Sequence, residues 1–169
     1  GGTGPDILAA VAAIEELCRA GSFLAGPFIQ CAFYGGMNIL ENGSAEQKAD
    51  LLPKLARGEL FFAYGLSEPD VGGDLSQVST RARREGDEIV VTGAKRWCTG
   101  ADFSDYIYCL VRSDPDAPAR SGLSFLLIPT NAPGVTITPI DHVNLRYTLS
   151  SDVHFDEVRL PLSAIVAGP

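Results

Sequence analysis

A chain of 169 residues, 46% hydrophobic and 20% charged, has the composition of one globular domain, or of one domain and part of another. Its net charge of −8 argues against nucleic-acid binding, which needs a basic stripe, and against an anionic membrane surface. No apolar run reaches the ~20 residues of a membrane-spanning helix, and the cysteines at 18, 31, 98 and 109 form neither a Cys-x-x-Cys pair nor a zinc pattern.

The first residues, GGTGPD, carry no basic region, no signal-like apolar core and no initiator Met, so the chain reads as an excised piece of a longer protein. Residues 6–20, DILAAVAAIEELCRA, read as a helix: Ile7, Val11, Ile14 and Cys18 recur along one face. Asp6 is its expected N-cap, and Gly21 its expected left-handed C′ residue. A second helix is expected over 27–41, with Pro27 near its first turn and a stop before Asn42-Gly43. Gly35-Gly36 would each weaken that helix by roughly 1 kcal/mol, which suggests another backbone packed close by. SAEQ at 44–47 is a capping box opening a third helix, which Pro53 should break or restart and Gly58 should end. Three helices enclose little core, so their apolar faces call for further helices.

After Gly58 the texture changes. LFFAYGL, EIVVTG, DYIYCLVR, LSFLLIP, GVTITPI and DVHFDEV are short, rich in β-branched and aromatic residues, and separated by Gly, Asp and Pro clusters. The expected architecture is α+β: a partial helical domain over 1–58, then an antiparallel β-barrel or sandwich over 59–169.

Three stretches carry candidate chemistry. YGLSEPDVGGDLS (64–76) offers the Ser67 hydroxyl, a turn at Pro69 and bare backbone at Gly72-Gly73, a composition suited to a nest of N–H groups for anionic oxygens or to a plain surface turn. Neither G-x-G-x-x-G nor G-x-x-x-x-G-K is present. GAKRWCTGA (93–101) carries the sole tryptophan, Trp97, followed by Cys98 and the hydroxyl of Thr99; the ring could flank a planar ligand or close one end of the barrel. NLRYTLSSDVHFDEVRLP (144–161) carries Arg146 within a dense hydroxyl run. His142 and His154 read as structural, no nucleophile elbow accompanies them, and Glu68 beside Pro69 reads as a turn residue rather than an acid–base group.

Together, in order and spacing, these stretches resemble the middle domain of the acyl-CoA dehydrogenases, and ENGSAEQKADLLPKLARGELFFAYGLSEP resembles that family's passage from helical to β-domain. The resemblance implies FAD as cofactor and oxidation of acyl-CoA thioesters to 2-enoyl-CoA. It implies Tyr64, Leu66 and Ser67 along the isoalloxazine, Gly72 and Gly73 at the pyrophosphate, Trp97, Cys98 and Thr99 beside the ring, and Gly73 and Arg146 toward the substrate. An electron-transfer flavoprotein or similar acceptor, a homo-oligomeric parent (dimer or tetramer) and a cytoplasmic location are implied with it. Gly73 stands where the family usually has Ser, Asp70-Val71 replace Gly-Ala, and Thr148 replaces Ser. The family's C-terminal helical bundle, with its catalytic glutamate, has no counterpart in this sequence, so no residue here is assigned as general base and the chain alone is expected to be inactive. A flavin-dependent oxidase or monooxygenase of the same architecture, and a non-catalytic β-barrel binding module, are the alternative readings.

Overall fold

A computed structural model of the chain describes residues 4, 6–143 and 149–167. Helix α1 (Ile7–Ala20) is capped as expected: the Asp6 carboxylate accepts from the N–H groups of Leu8 and Ala9 at 3.0 and 3.1 Å. Gly21 differs from expectation. Its φ of 165° is extended backbone, and the chain turns directly into α2 (Ser22–Ile29) rather than ending in a left-handed cap. The second helix thus starts five residues before Pro27, which lies inside it. The missing proline N–H removes one hydrogen bond without ending the rod.

From Gln30 to Met37 the rod winds as a π-helix and then continues as α3 (Asn38–Asn42). Gly35 and Gly36 lie in that segment. The close neighbour of Gly35 is a ring, not a backbone: a Cβ on Gly35 would meet Phe62 Cδ2 at 2.5 Å. Helix α4 (Ala45–Ala56) opens with the expected capping box, in which Ser44 Oγ accepts from Gln47 N–H at 3.1 Å and Gln47 Oε1 accepts from Ser44 N–H at 2.9 Å. Pro53 neither breaks nor restarts it, because only one turn remains before the chain leaves through Gly58, at φ +70°.

The remaining chain forms one eight-stranded sheet from β1 (Phe62–Gly65), β2 (Arg81–Glu85), β3 (Glu88–Thr99), β4 (Tyr106–Arg112), β5 (Leu123–Pro129), β6 (Val135–Pro139), β7 (Ser150–Pro161) and β8 (Ile165–Ala167). Its order is β6-β7-β3-β2-β4-β5-β8, with β1 also on β4. The α+β class is as expected, but the pairing is not wholly antiparallel. β1 runs parallel to β4, and β2 touches β4 in parallel at Arg81 and Arg112. A parallel pair needs a crossover, and the β2–β3 hairpin lies in the connection between β1 and β4.

Strand β4 is buried on both faces. One face contributes Ile107, Cys109 and Val111 to a core shared with Val91, Leu126, Val153 and Phe155. The other sets Tyr108 beside Phe62 and Leu127 against Ile39 and Leu51 of the helices. Loop 66–80 lies over that second face, where Val71 and Val78 pack on Leu110. Val71, one of the departures from the family pattern, therefore anchors the loop. The apolar stripe of α1 is largely uncovered among the described residues: Ile7 and Val11 are exposed and Ile14 is half-buried. Cys18 is exposed as well, Cys31 is half-buried, and Cys98 and Cys109 are buried; all four cysteines are free. No helix among the described residues is long and apolar enough to cross a membrane.

Candidate functional site

Strand β1 ends where the family-like motif begins. Leaving the sheet after Gly65, the chain is held at three consecutive residues: Lys95 Nζ donates to the Leu66 carbonyl at 3.1 Å, Arg96 N–H donates to the Ser67 carbonyl at 2.8 Å, and Glu68 closes a reciprocal pair of backbone bonds with Val71 around Pro69. The N–H and hydroxyl of half-buried Ser67 have no hydrogen bond among the described residues, so two donors remain unspent at this turn.

Facing them, Trp97 sits not on a turn but within β3, in a β-bulge. Lys95 pairs with Val153 and Cys98 with Ser151, so Arg96 and Trp97 together oppose Asp152. Trp97 takes φ +63°, a left-handed conformation that costs a bulky L-residue roughly 1–2 kcal/mol. The bulge turns its ring out of the sheet, where it is 55% exposed with the Arg96 guanidinium 5.0 Å from its centroid. A tryptophan serving the core would be neither strained nor exposed.

The third wall comes from the π-helical segment. Gln30, buried in an otherwise apolar run, donates through Nε2 to the Thr99 carbonyl, and Tyr34 stacks on Tyr64 at 4.8 Å between ring centroids. The stack continues through Tyr108 to Phe125 at 5.5 and 4.6 Å. Between the three walls lies a cleft of about 210 Å³, lined by Tyr64, Leu66 and Ser67, by Arg96, Trp97 and Thr99, and by Gln30 and Tyr34.

Five of the expected cofactor-side residues, Tyr64, Leu66, Ser67, Trp97 and Thr99, thus meet in one cleft. Cys98 does not line it. Strand alternation points its side chain into the core, where burial, with a smaller contribution from nearby Cys109, pushes the thiol up to about 12. Gly72 and Gly73 lie beyond the Glu68–Val71 turn on the exposed part of the loop. Neither is left-handed, so the alternating conformation of a nest is absent there, and a Cβ on either would meet nothing. The protein's own packing does not require these glycines; their bare backbone leaves room for something outside the chain. Arg146, with Tyr147 and Thr148, lies outside the described residues. His142 Nε2 accepts from Ser150 N–H at 3.0 Å, and His154 is exposed on β7. Among the described residues no cluster of His, Cys, Asp and Glu could hold a metal ion.

Gln30, Tyr34, Arg96 and Lys95 are additions to the sequence reading. Three had legible signals. Gln30 and Tyr34 are the polar-headed side chains of an apolar helical run, four residues apart. Lys95 continues the inward alternation of Ile89 and Val91, an unexpected place for a charge. Glu68 is the turn residue expected and also a buried one. Its Oε1 accepts from Lys95 Nζ and Thr80 N–H, and its Oε2 from Ser79 N–H and Oγ, at 2.6–2.9 Å. Burial pushes this carboxyl up, but the bonds from Lys95, Ser79 and Thr80 outweigh it and hold the group down to about 2. Such a saturated carboxylate is not a general base. Glu68 does not line the cleft, and among the described residues no carboxylate does.

The chemistry of these walls is that of a site for a planar ring: aromatic and apolar faces at Tyr64, Leu66 and Trp97, and unspent donors at Ser67 along one edge. Residues 63–158 match the family description "Acyl-CoA dehydrogenase, middle domain", and residues 1–59 match "Acyl-CoA dehydrogenase, N-terminal domain". Acyl-CoA dehydrogenase FadE29 of Mycobacterium tuberculosis is 37% identical over 137 residues, 78% of this chain and 34% of the relative. A crystal structure of an acyl-CoA dehydrogenase from Geobacillus kaustophilus superposes with a TM-score of 0.91 at 32% identity, covering 100% of this chain and 44% of that one. A glutaryl-CoA dehydrogenase from Mycobacterium smegmatis, solved in complex with FADH2, superposes with a TM-score of 0.83 at 33% identity, covering 92% and 40%. The chain spans about a third of the curated relative and less than half of either solved chain.

Proposed function

Because the chain belongs to the acyl-CoA dehydrogenase family, we propose that it supplies the flavin-facing part of an FAD-dependent enzyme that oxidises acyl-CoA thioesters to 2-enoyl-CoA. In this reading residues 1–58 end the N-terminal helical domain and 59–169 form the middle domain. Bound FAD supplies the acceptor for a hydride from the substrate's β-carbon. The Ser67 hydroxyl and N–H hold the polar edge of the flavin. Trp97, Tyr64 and Leu66 cover its ring and exclude water, and Thr99 completes the wall beside Trp97. Gly72 and Gly73 let the pyrophosphate approach the backbone. Gly73 and Arg146 face the thioester ligand. The base that removes the α-proton comes from outside this chain, because among the described residues the cleft has no carboxylate wall and Glu68 is saturated. The chain alone is therefore inactive. Its electrons pass on to an electron-transfer flavoprotein or similar acceptor, in a homo-oligomeric parent in the cytoplasm.

The observation that carries this reading is the bond from Arg96 N–H to the Ser67 carbonyl, 2.8 Å, which joins the Ser67 turn and the Trp97 bulge as two walls of one cleft. Titration with FAD tests it, because Trp97 is the sole tryptophan. Its emission should be quenched as the flavin absorbance band shifts, both saturating together. Emission unchanged at excess FAD would remove the flavin assignment.

A further inference from the structure

We propose that the buried Lys95–Glu68 pair is the positioning device of the cleft, fixing the Leu66–Ser67 backbone against the Trp97 bulge and so setting the separation of the two walls. The pair is enclosed: the Lys95 side chain is 0% exposed and the Glu68 side chain 3%. Lys95 Nζ is shared between Glu68 Oε1 at 2.9 Å and the Leu66 carbonyl at 3.1 Å. The ammonium therefore grips the loop twice, one residue to each side of Ser67. The next residue along β3, Arg96, takes the Ser67 carbonyl itself, and the residue after that is Trp97. Residues 66–68 are stitched to residues 95–96 immediately before the strained position.

The same carboxylate also closes the far end of the loop. Ser79 N–H and Oγ and Thr80 N–H bond Glu68 at 2.8, 2.6 and 2.8 Å, and Thr80 Oγ1 donates to the Ala94 carbonyl at 3.1 Å. One buried side chain thus anchors both ends of the excursion that carries Gly72 and Gly73. Stability alone does not call for this arrangement. Desolvating two charges offsets most of their attraction, and apolar residues of similar volume commonly serve as well or better. An apolar side chain, however, cannot hold the Leu66 carbonyl in one direction. The directional bond separates a positioning role from a packing one.

The test is the double substitution Lys95→Met with Glu68→Leu, read by thermal melting and by the fluorescence anisotropy of Trp97 without flavin. A folded variant, with melting lowered because the Ser79 and Thr80 N–H groups lose their acceptor and with lowered Trp97 anisotropy, is the expected result. A folded variant with parent-like anisotropy overturns the proposal, since the pair would then hold the loop ends without setting the Trp97 wall. If the double variant does not fold, Glu68→Gln decides: exchange of the Arg96 amide should accelerate ~10-fold while that of Val90, on the same strand, stays unchanged. Equal exchange at Arg96 overturns the proposal. The consequence for FAD affinity, an expected loss of ~10-fold in the double variant, rests on the flavin reading. Failure of the parent chain to bind FAD would end that reading and leave the anisotropy and exchange results to judge the latch.

Discussion

Replacing Trp97 by glycine separates a ring held out for a ligand from a ring that serves the core. At φ +63° the substitution relieves about 1–2 kcal/mol of left-handed strain. Against this stand about 0.5–1 kcal/mol for the extra chain entropy of glycine and about 0.5–1 kcal/mol for the lost contact with the Arg96 guanidinium. The terms nearly cancel, so unfolding free energy should stay within about 1 kcal/mol of the parent, a shift of ~2–4 °C at this size. A core tryptophan would instead lose about 3–5 kcal/mol on truncation. FAD affinity should fall up to ~10-fold, the worth of one aromatic stacking contact. Urea unfolding by circular dichroism and titration of flavin fluorescence measure the two effects on one preparation. A destabilisation above about 3 kcal/mol, or unaltered FAD affinity, would refute the reasoning.

Three further perturbations have defined outcomes. Gly35→Ala drives a methyl into the Phe62 ring, at 2.5 Å from Cδ2, and should cost about 1–3 kcal/mol by overpacking; a melting temperature equal to the parent's would show that Phe62 yields freely. Gly73→Ser restores the hydroxyl usual in the family at a position where a Cβ meets nothing, so stability should change by less than about 0.5 kcal/mol while calorimetry reports tighter binding of an acyl-CoA ligand by the FAD-loaded chain. The Glu68 carboxyl, held down to about 2 from an ordinary 4.5, binds its proton less readily when folded than when unfolded. Its contribution, about 3 kcal/mol at most, is complete above pH 4.5 and disappears as pH falls toward 2, so acid titration of stability should be steeper in the parent than in Glu68→Gln; equal slopes would contradict the buried-pair electrostatics.

The parts of this fold that were legible in the sequence are those set by local rules. Asp6 and the Ser44/Gln47 box mark helix starts because a side-chain oxygen meets an orphan N–H within three residues. Alternation around Phe155 and Val153 marks β7 because burial has period two. The misread parts depend on distant partners. Gly21 reads as a left-handed cap only if the chain leaves the helix, but here it turns into another. Gly35 answers to Phe62, a neighbour 27 residues away, and the parallel β1–β4 pair is a matter of topology. At the cleft, residue types for Ser67, Trp97 and Thr99 were legible through motif spacing. Gln30 and Tyr34 were not assigned, because their spacing marks two polar heads in an apolar run but not the strands they face, which the π-helical register sets.

Three locally unfavourable choices converge on that cleft: a π-helical turn, a left-handed tryptophan, and a buried ion pair two residues from it. Elsewhere caps, hairpin and alternation agree with one another, which is the pattern of a sequence consistent with its fold except where function intervenes. Glu157 tests this inference, being the other non-glycine residue at positive φ among the described residues, at 50° on β7 and away from the cleft. Its strain has a compensation within the protein: the bulge aims its carboxylate at Arg83, which binds it through two nitrogens at 3.0 and 2.7 Å, and at Thr92 Oγ1 at 3.1 Å. Among the described residues Trp97 has one exposed arginine against its ring. Of two strained residues in the same sheet, one is explained by its partners in the chain, and the other becomes intelligible when a planar ligand takes the place beside it.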